Sequence, residues 1–291
     1  MDRLKILSSE LPKNTLGAVY HLNLFPEDIA DNIILVGDPG RVQKLSAHFD
    51  LIELKKSNRE IVTHTGYRNG KRITVISTGM GCDNVEIVLT ELDALANIDL
   101  QAMLPKPEHH SLNFVRIGTS GALDEHIAPG QPVASQYGFG IDGLLHFYAD
   151  RQCNRTDIVD AFVKHTSWDE KLPYPYCTEC SPKLMQKIAY DMINGMTMSA
   201  PGFYAPQNRL VRCRQSHPEY KKLIESFDYN GIRFSNMEME CSALYGLSHI
   251  FGHQALTCCM IIANRVTGDF LSDYVRNMED FIETVISRMT E

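Results

Sequence analysis

The sequence predicts an α/β fold with a central sheet that is largely parallel or mixed. Three short apolar runs, each containing β-branched residues, occur at residues 33–36, 73–76 and 114–117. Continuous apolar runs of this kind are typical of strands buried on both faces, and their alternation with helices is typical of an α/β architecture. Glycine-rich residues follow each run, which indicates tight turns at three strand ends.

The first half of the chain repeats this rhythm. The first run is followed by Gly37-Asp38-Pro39-Gly40, and helical spacing then extends from Arg41 to Phe49. The second run is followed by Ser77-Thr78-Gly79-Met80-Gly81, and apolar residues then recur at helical intervals from Val85 to Ala96. The third run ends in Gly118-Thr119-Ser120-Gly121. These segments predict strand, turn and helix in succession.

The second half contains more helix. Helical spacing recurs in Pro182–Met192, Met239–His249 and an amphipathic C-terminal segment, Tyr274–Met289. The run Leu256–Ala263 predicts a further buried strand. Two segments, 104–112 and 168–182, fit no regular element and are interpreted as loops or insertions. No linker or repeat divides the chain, so we predict one domain over residues 1–291.

Composition excludes several functional classes. The 291 residues are 44% apolar and 22% charged, and the formal net charge is −8. An anionic chain is a poor candidate for sequence-independent binding to nucleic acid or a membrane surface. No apolar stretch approaches the roughly 18 residues of a membrane span. Residues 1–14 lack the apolar core of a signal peptide, so we expect a cytoplasmic protein.

Eight cysteines are scattered along the chain, and Cys177 and Cys180 form its one Cys-x-x-Cys pair. A zinc site of this type needs a second pair at matching spacing. We therefore interpret Cys177 and Cys180 as structural thiols and predict no metal.

Two arginines lie beside glycine-rich strand ends. Arg116 stands inside an apolar strand, where a guanidinium is costly unless an anion or a carboxylate meets it. The alternative for Arg116 is an internal salt bridge, and the alternative for Arg41 is a solvated residue in the first turn of a helix. Because glycine lets an anion approach the main chain closely, the two arginines together indicate an oxyanion site.

Two other segments carry groups suited to a ligand. Glu238 and Glu240 lie in an apolar neighbourhood, where they either open a helix or accept hydrogen bonds from a polyol such as a sugar. The segment Gly202–Arg209 combines paired aromatic residues with a glutamine and an arginine. It is either an ordinary surface loop or a platform for a flat heterocycle that carries carbonyl and imide groups.

In this order and spacing, the motifs resemble those of the uridine phosphorylases in the nucleoside phosphorylase family. The resemblance extends from Val19 to Arg265 and rests on these segments: Val19-Tyr20-His21-Leu22, Gly37-Asp38-Pro39-x-Arg41, Ser57-Asn58-Arg59-Glu60, Ser77-Thr78-Gly79-Met80-Gly81, Arg116-Ile117-Gly118-Thr119-Ser120-Gly121-Ala122, Phe203-Tyr204-x-x-Gln207-x-Arg209, Glu238-Met239-Glu240 and Asn264-Arg265.

The resemblance implies a three-layer α/β/α fold with a mixed, twisted and partly barrel-like sheet. It also implies phosphorolysis of a pyrimidine nucleoside, uridine, in nucleoside salvage or catabolism, with phosphate as co-substrate and no cofactor. The implied site residues are Gly37, Arg41, Arg59, Arg116 and Thr119 for phosphate; His21, Thr119, Glu238, Met239 and Glu240 for ribose; and Phe203, Gln207, Arg209 and Arg265 for the base. Arg116, Thr119 and Glu240 would be the catalytic residues. Arg59 and His21 would act on a neighbour's substrate, so the expected assembly is a dimer or a hexamer with shared sites.

The sequence departs from the family pattern in the base-reading loop. That loop reads Ala205-Pro206-Gln207 where Pro-Gly-Gln is usual, and Glu60 alone matches part of a motif that binds a monovalent cation in some relatives. A purine nucleoside phosphorylase, a nucleosidase and a non-catalytic nucleoside-binding homologue are the alternatives. Asn264-Arg265 stands where purine enzymes place a carboxylate that protonates the leaving base, which favours a pyrimidine.

Overall fold

The computed structural model describes residues 5–291, and these residues contain thirteen strands and seven α-helices. The strands are β1 (Asn32–Val36), β2 (Leu51–Asn58), β3 (Ile61–Arg68), β4 (Lys71–Ser77), β5 (Ile98–Asp99), β6 (Leu104–Pro105), β7 (Asn113–Ala122), β8 (Pro132–Gly140), β9 (Tyr176–Glu179), β10 (Ile193–Ser199), β11 (Asp228–Tyr229), β12 (Ile232–Glu238) and β13 (Gln254–Asn264). The helices are α1 (Pro39–Ser46), α2 (Cys82–Asn97), α3 (Thr156–Thr166), α4 (Pro182–Ile188), α5 (Tyr220–Glu225), α6 (Cys241–Phe251) and α7 (Val275–Thr290).

The central sheet is mixed and closes on itself at one end. Strands β7, β13, β8, β10 and β12 pair in that order, and β12 pairs back onto β7 through Asn236 and Met237. Strands β1, β4, β3 and β2 extend the sheet outward from β7. The result is a five-stranded ring with a four-stranded extension, which confirms the predicted α/β fold with a partly barrel-like sheet.

Parallel pairing brings several strand ends to one edge of this sheet. Strand β1 runs parallel to β4 and β7, and β13 runs parallel to β7. Because the carboxyl ends of parallel strands meet on one side, Gly37, Gly79 and the glycine-rich end of β7 converge there. The parallel pairing of these strands therefore brings the glycine-rich segments singled out in the sequence to one edge of the sheet.

Apolar side chains of the sheet and helices form the core. Ile34, Val75 and Val115 are fully buried at its centre. Helix α2 packs against α6, whereas α1 and α4 both contact α7. A second cluster, which contains the aromatic residues Phe139, Phe162, Phe227 and Phe234, lies beneath β8, β10 and β12. None of the helices in the described part of the chain has the length and apolarity needed to cross a bilayer.

Several predicted segments differ from the structure. Leu104–Pro105 form β6, paired with β5, inside the predicted loop 104–112. Strand β7 continues through Gly118-Thr119-Ser120-Gly121 to Ala122, because β13 and β12 supply partners for its backbone. Residues Tyr176–Glu179 form β9 inside the predicted loop 168–182, paired with β8. The helix predicted over Pro182–Met192 ends at Ile188, so the chain can enter β10 at Ile193. In each case a long-range pairing or a nearby strand overrides the local pattern.

Candidate functional site

A cavity of about 670 Å³ opens at the edge where the carboxyl ends of β1, β4, β7 and β13 meet. The β12–α6 junction and the loop before α5 complete its wall. Ten of the predicted site residues line it: Gly37, Arg41, Arg116, Thr119, Phe203, Gln207, Arg209, Glu238, Met239 and Glu240. Three others, His21, Arg59 and Arg265, do not.

Arg116 is buried in β7 and held by two carboxylates. Its Nη1 lies 3.1 Å from Oε2 of Glu238, and its Nη2 contacts Oε2 of Glu240. Burial alone would lower the pKa of Arg116, but Glu240 and Glu238 raise it above its usual value. Arg116 therefore makes internal salt bridges and also lines the cavity. The Nε of Arg116 has no hydrogen-bond partner in the described part of the chain, so one N–H donor is unused.

The two glutamates have different surroundings. Glu238 ends β12, and its oxygens accept hydrogen bonds from the Ser199 hydroxyl and the N–H groups of Glu240 and Cys241. Burial raises the pKa of Glu238 to about 7, although Arg116 acts in the opposite direction. Glu238 thus caps the start of α6 and fixes Arg116.

Glu240 connects the cavity to the loop after β4. Its Oε1 accepts a hydrogen bond of 2.8 Å from the Gly81 N–H, and its Oε2 meets Arg116. Gly81 has a φ of 96°, which is a conformation that side chains disfavour, so the glycine is needed for this contact. Glu240 is therefore anchored from two sides at the cavity wall.

Arg41 provides a second cation beside Arg116. Asp38 caps α1 by accepting a 2.8 Å hydrogen bond from Gly40 N–H, and the helix then directs Arg41 inward, where its Nη1 donates to Ile117 O at 3.1 Å. Burial lowers the pKa of Arg41, and the charge of Arg116 adds to this effect. No carboxylate of the described residues lies within 4.0 Å of the Arg41 guanidinium nitrogens. Two adjacent buried cations of which one lacks a counter-ion are suited to an oxyanion.

The loop 203–209 forms another part of the cavity wall through Phe203, Gln207 and Arg209. The Arg209 guanidinium lies 4.2 Å from the centroid of the Phe203 ring, and Gln207 is almost fully buried. Arg265 packs behind this loop, where it donates hydrogen bonds to Gln207 O and, at 2.9 Å, to Met237 Sδ. Burial lowers the pKa of Arg265 to about 10, and the charge of Arg209 adds to the effect. Arg265 thus supports the loop and does not line the cavity.

His21 and Arg59 lie together outside the cavity. Asn58 Nδ2 donates to His21 O at 2.9 Å, and the Arg59 guanidinium lies 5.4 Å from the Tyr20 ring centroid. His21 Nδ1 is 2.6 Å from Glu91 Oε1. The structure therefore does not bring these two residues to the cavity of their own chain.

Several cavity residues were not among the predicted site residues. Met80 and Asn84 follow β4, Ser120 lies in β7, and Phe270 lies beyond β13. The glycines of Gly79-Met80-Gly81 could have indicated the first two. Phe270 has no local signal, because its approach to the cavity depends on the turn after β13.

One group of potential metal ligands occurs among residues 5–291, away from the cavity: Asp93, His109 and His253. The Nδ1 atom of His253 accepts a hydrogen bond from Leu112 N–H at 3.1 Å. The neutral ring must then carry its proton on Nε2, the atom that faces Asp93 at 3.1 Å, which leaves no lone pair there for a metal. Cys177 and Cys180 are buried free thiols, and burial raises the pKa of Cys180 to about 12.

The model of the phosphorylase superfamily matches residues 31–290. The chain belongs to that superfamily. This match confirms the family membership predicted from the sequence motifs.

Within the superfamily, similarity to uridine phosphorylases extends over most of the chain. The uridine phosphorylase of Thermococcus kodakarensis is 28% identical over 91% of this chain and 84% of its own length. That of Haemophilus influenzae is 27% identical over 86% of this chain and 88% of its own. A Trypanosoma brucei nucleoside phosphorylase, described as showing uridine phosphorylase activity, superposes with a TM-score of 0.80 at 28% identity, covering 95% and 99% of the two chains.

Proposed function

We propose that this protein catalyses the phosphorolysis of uridine to uracil and ribose 1-phosphate. The observation that carries the proposal is that Arg116, Arg41 and the loop 203–209 line one and the same cavity. A phosphate at the arginines and a uracil at the loop would leave the ribose between them, beside Glu240 and Met239. The similarity to enzymes named as uridine phosphorylases supports the same substrate.

The proposed reaction is a displacement at the anomeric carbon. A phosphate oxygen forms a bond to C1′, the bond from C1′ to N1 of uracil breaks, and its electron pair goes to the base. The proton of hydrogen phosphate is recovered on the uracil nitrogen, so atoms and charge balance. No enzyme residue forms a covalent bond in this scheme.

Arg116, Arg41, Thr119 and the Gly37 backbone would bind and orient the phosphate. Each charge-assisted hydrogen bond contributes about 1.5–3 kcal/mol. Holding the nucleophile in line with the sugar lowers the barrier by up to about 7–11 kcal/mol relative to a bimolecular encounter.

Gln207 and Arg209 would stabilise the leaving base, while Glu240, with Met239, would hold the ribose. Negative charge develops on O2 and O4 of uracil as the bond breaks, and donors that meet this charge act most strongly in the transition state. Glu240 would accept hydrogen bonds from the ribose hydroxyls while Gly81 and Arg116 keep its carboxylate in place. Phe203 would pack against the ring.

A second copy of the chain would complete the site. His21 and Arg59 are adjacent on the surface of their own chain, so we propose that they reach the 5′-hydroxyl and the phosphate bound by a neighbour. This assembly would be a dimer or a hexamer with shared sites.

Assays with uridine, 2′-deoxyuridine, thymidine, inosine and adenosine, each with and without phosphate, test the proposal. We expect uracil release from uridine that depends on phosphate and yields ribose 1-phosphate. Preference for a purine would indicate a purine phosphorylase, cleavage without phosphate a nucleosidase, and binding without turnover a non-catalytic protein. Each of these results would contradict the proposal.

A further inference from the structure

Ser199 stands behind the cavity wall and does not line it, yet it contacts the carboxylate that holds Arg116. It is the last residue of β10 and is fully buried. Its Oγ donates a 2.6 Å hydrogen bond to Glu238 Oε1 and accepts a 2.9 Å hydrogen bond from Ser242 N–H. Because a hydroxyl has a single proton, the bond from Ser242 leaves that proton directed at Glu238.

The backbone around Ser199 holds the hydroxyl in place. Ser199 pairs with Glu238 in the parallel ladder between β10 and β12, and the Ala200 N–H donates to Glu238 O at 3.0 Å. On the other side, Ile141 N–H donates to Ser199 O at 3.1 Å. The serine therefore has little freedom to turn its hydroxyl away from the carboxylate.

Glu238 transmits this constraint to Arg116. Its Oε2 lies 3.1 Å from Nη1 of Arg116, and no other carboxylate of the described residues contacts that nitrogen. The charged and titratable groups that face Glu238 are Arg116 from β7, Cys259 from β13, and Glu240 and Cys241 at the start of α6. Among residues 5–291, Ser199 supplies the one side-chain hydroxyl that donates to Glu238, and this bond stabilises the ionised form of Glu238 against burial and the charge of Glu240.

We propose that Ser199 is a positioning residue for phosphate: it holds the Glu238 carboxylate against Arg116 and so fixes the direction of the Arg116 guanidinium at the cavity. The inference depends on the proposed function only in naming phosphate as the anion. Ser199 itself touches neither substrate.

Calorimetric titration with inorganic phosphate tests this role without requiring turnover. We expect S199A to weaken phosphate binding about tenfold, because Glu238 loses the hydrogen bond that holds it against Arg116 and phosphate must then bind a guanidinium whose direction is no longer fixed. The ionised form of Glu238 also loses a donor, so its pKa rises, and the pH at which phosphate binding weakens on acidification should move upward by about half a unit or more. The protonation equilibrium of free phosphate is the same in the experiments on both proteins, so it cancels from the comparison.

S181A is the matched control. The buried hydroxyl of Ser181 likewise donates to a side-chain oxygen, Gln254 Oε1 at 2.6 Å, and accepts from a helix N–H, that of Leu184. It caps α4, remote from the cavity. We expect S181A to lower thermal stability as much as S199A does, with the phosphate affinity and its pH dependence unchanged.

A double-mutant cycle with E238Q tests whether Ser199 acts through Glu238. If it does, S199A should have little further effect on phosphate binding in the E238Q background. Additive effects, a pH shift in the opposite direction, or a loss in S199A no larger than in S181A would overturn the proposal. If S199A does not fold, E238Q alone decides: unaltered phosphate affinity would overturn it.

The uridine assay separates the two proposals. Wild-type protein that binds phosphate but turns over no nucleoside contradicts the proposed function, and the Ser199 comparison can still be made by binding. Wild-type protein that binds no phosphate contradicts both.

Discussion

Gly118 leaves open the space that the guanidinium of Arg116 fills. A β carbon at position 118 would lie 2.9 Å from Cζ of Arg116 and 2.9 Å from Sγ of Cys259. Both neighbours are buried. A glycine two residues along the same strand is therefore a steric requirement of the buried arginine.

This contact predicts that G118A displaces the guanidinium. Overpacking of this kind costs about 1–3 kcal/mol, and here the displaced group is the proposed phosphate ligand, so we expect the kcat/KM for phosphate to fall at least tenfold. Steady-state kinetics with varied phosphate measures the effect. G195A is the control, since its β carbon would lie 2.8 Å from Ser235 Cβ, away from Arg116. Equal kinetic losses in both variants would contradict the prediction.

The buried Glu238 carboxyl predicts a pH dependence of stability. Its folded pKa is raised to about 7, above the model-peptide value for glutamate, so the folded state binds the proton more tightly than the unfolded state. This contribution to stability is present below the unfolded pKa of about 4.3 and is lost as the pH rises towards 7, by at most about 1.4 kcal/mol per pH unit.

E238Q should remove that dependence. We expect the free energy of unfolding of the wild type, relative to E238Q, to decrease between pH 4.5 and 7, as measured by urea denaturation at a series of pH values. Titrating groups that do not interact with Glu238 are common to both proteins and cancel from the difference. A difference that is constant with pH would show that Glu238 does not titrate in this range.

Arg265 predicts an effect confined to the base. Its guanidinium donates a hydrogen bond to Gln207 O. In R265M, an uncharged side chain that cannot donate takes its place. We expect R265M to lower the kcat/KM for uridine about tenfold and to leave phosphate binding unchanged, because the loop 203–209 loses one charge-assisted hydrogen bond. R288M is the matched control, because Arg288 likewise donates to a backbone carbonyl, that of Ile188 at 2.7 Å, in a distant part of the chain. A parallel loss of phosphate affinity in R265M would contradict this assignment.

Shared sites predict complementation between two inactive variants. R59A removes the residue proposed to serve a neighbour, and R209M removes a residue of the chain's own cavity. When the two are co-expressed, half of randomly formed dimers are mixed and each mixed dimer has one intact site, so we expect about a quarter of wild-type activity. Activity of co-expressed protein no greater than that of the separate variants would indicate that Arg59 does not act across an interface.

The sequence predicts the parts of this fold that depend on local pattern. The runs at 33–36, 73–76 and 114–117 are strands, and the spacing from Val85 to Ala96 is a helix. The continuation of β7 to Ala122 could not be predicted locally, since glycine and serine favour turns unless partner strands are known. Strand β9 could not be predicted either, because prolines surround this short segment and its partner β8 lies more than 30 residues earlier in the chain.

The candidate site shows a similar division. The sequence alone identifies Arg116 as a candidate site residue, because a guanidinium in an apolar run needs a partner of opposite charge. The sequence left the choice between salt bridge and anion site open, and the structure contains the salt bridges with a cavity beside them. The contact from Ser199 to Glu238 joins residues 39 positions apart through strand register, which no local spacing reveals.

The ion pairs of Arg116 with Glu238 and Glu240 have a consequence for which anions the proposed site would select. Glu238 and Glu240 already compensate the positive charge of Arg116, so we expect charge alone to attract negatively charged solutes to the cleft only weakly. An incoming ion gains most only if its shape also satisfies Arg41 and the main-chain donors at the same time. If the cleft binds phosphate as proposed, its discrimination between anions should therefore depend on geometry more than on total charge.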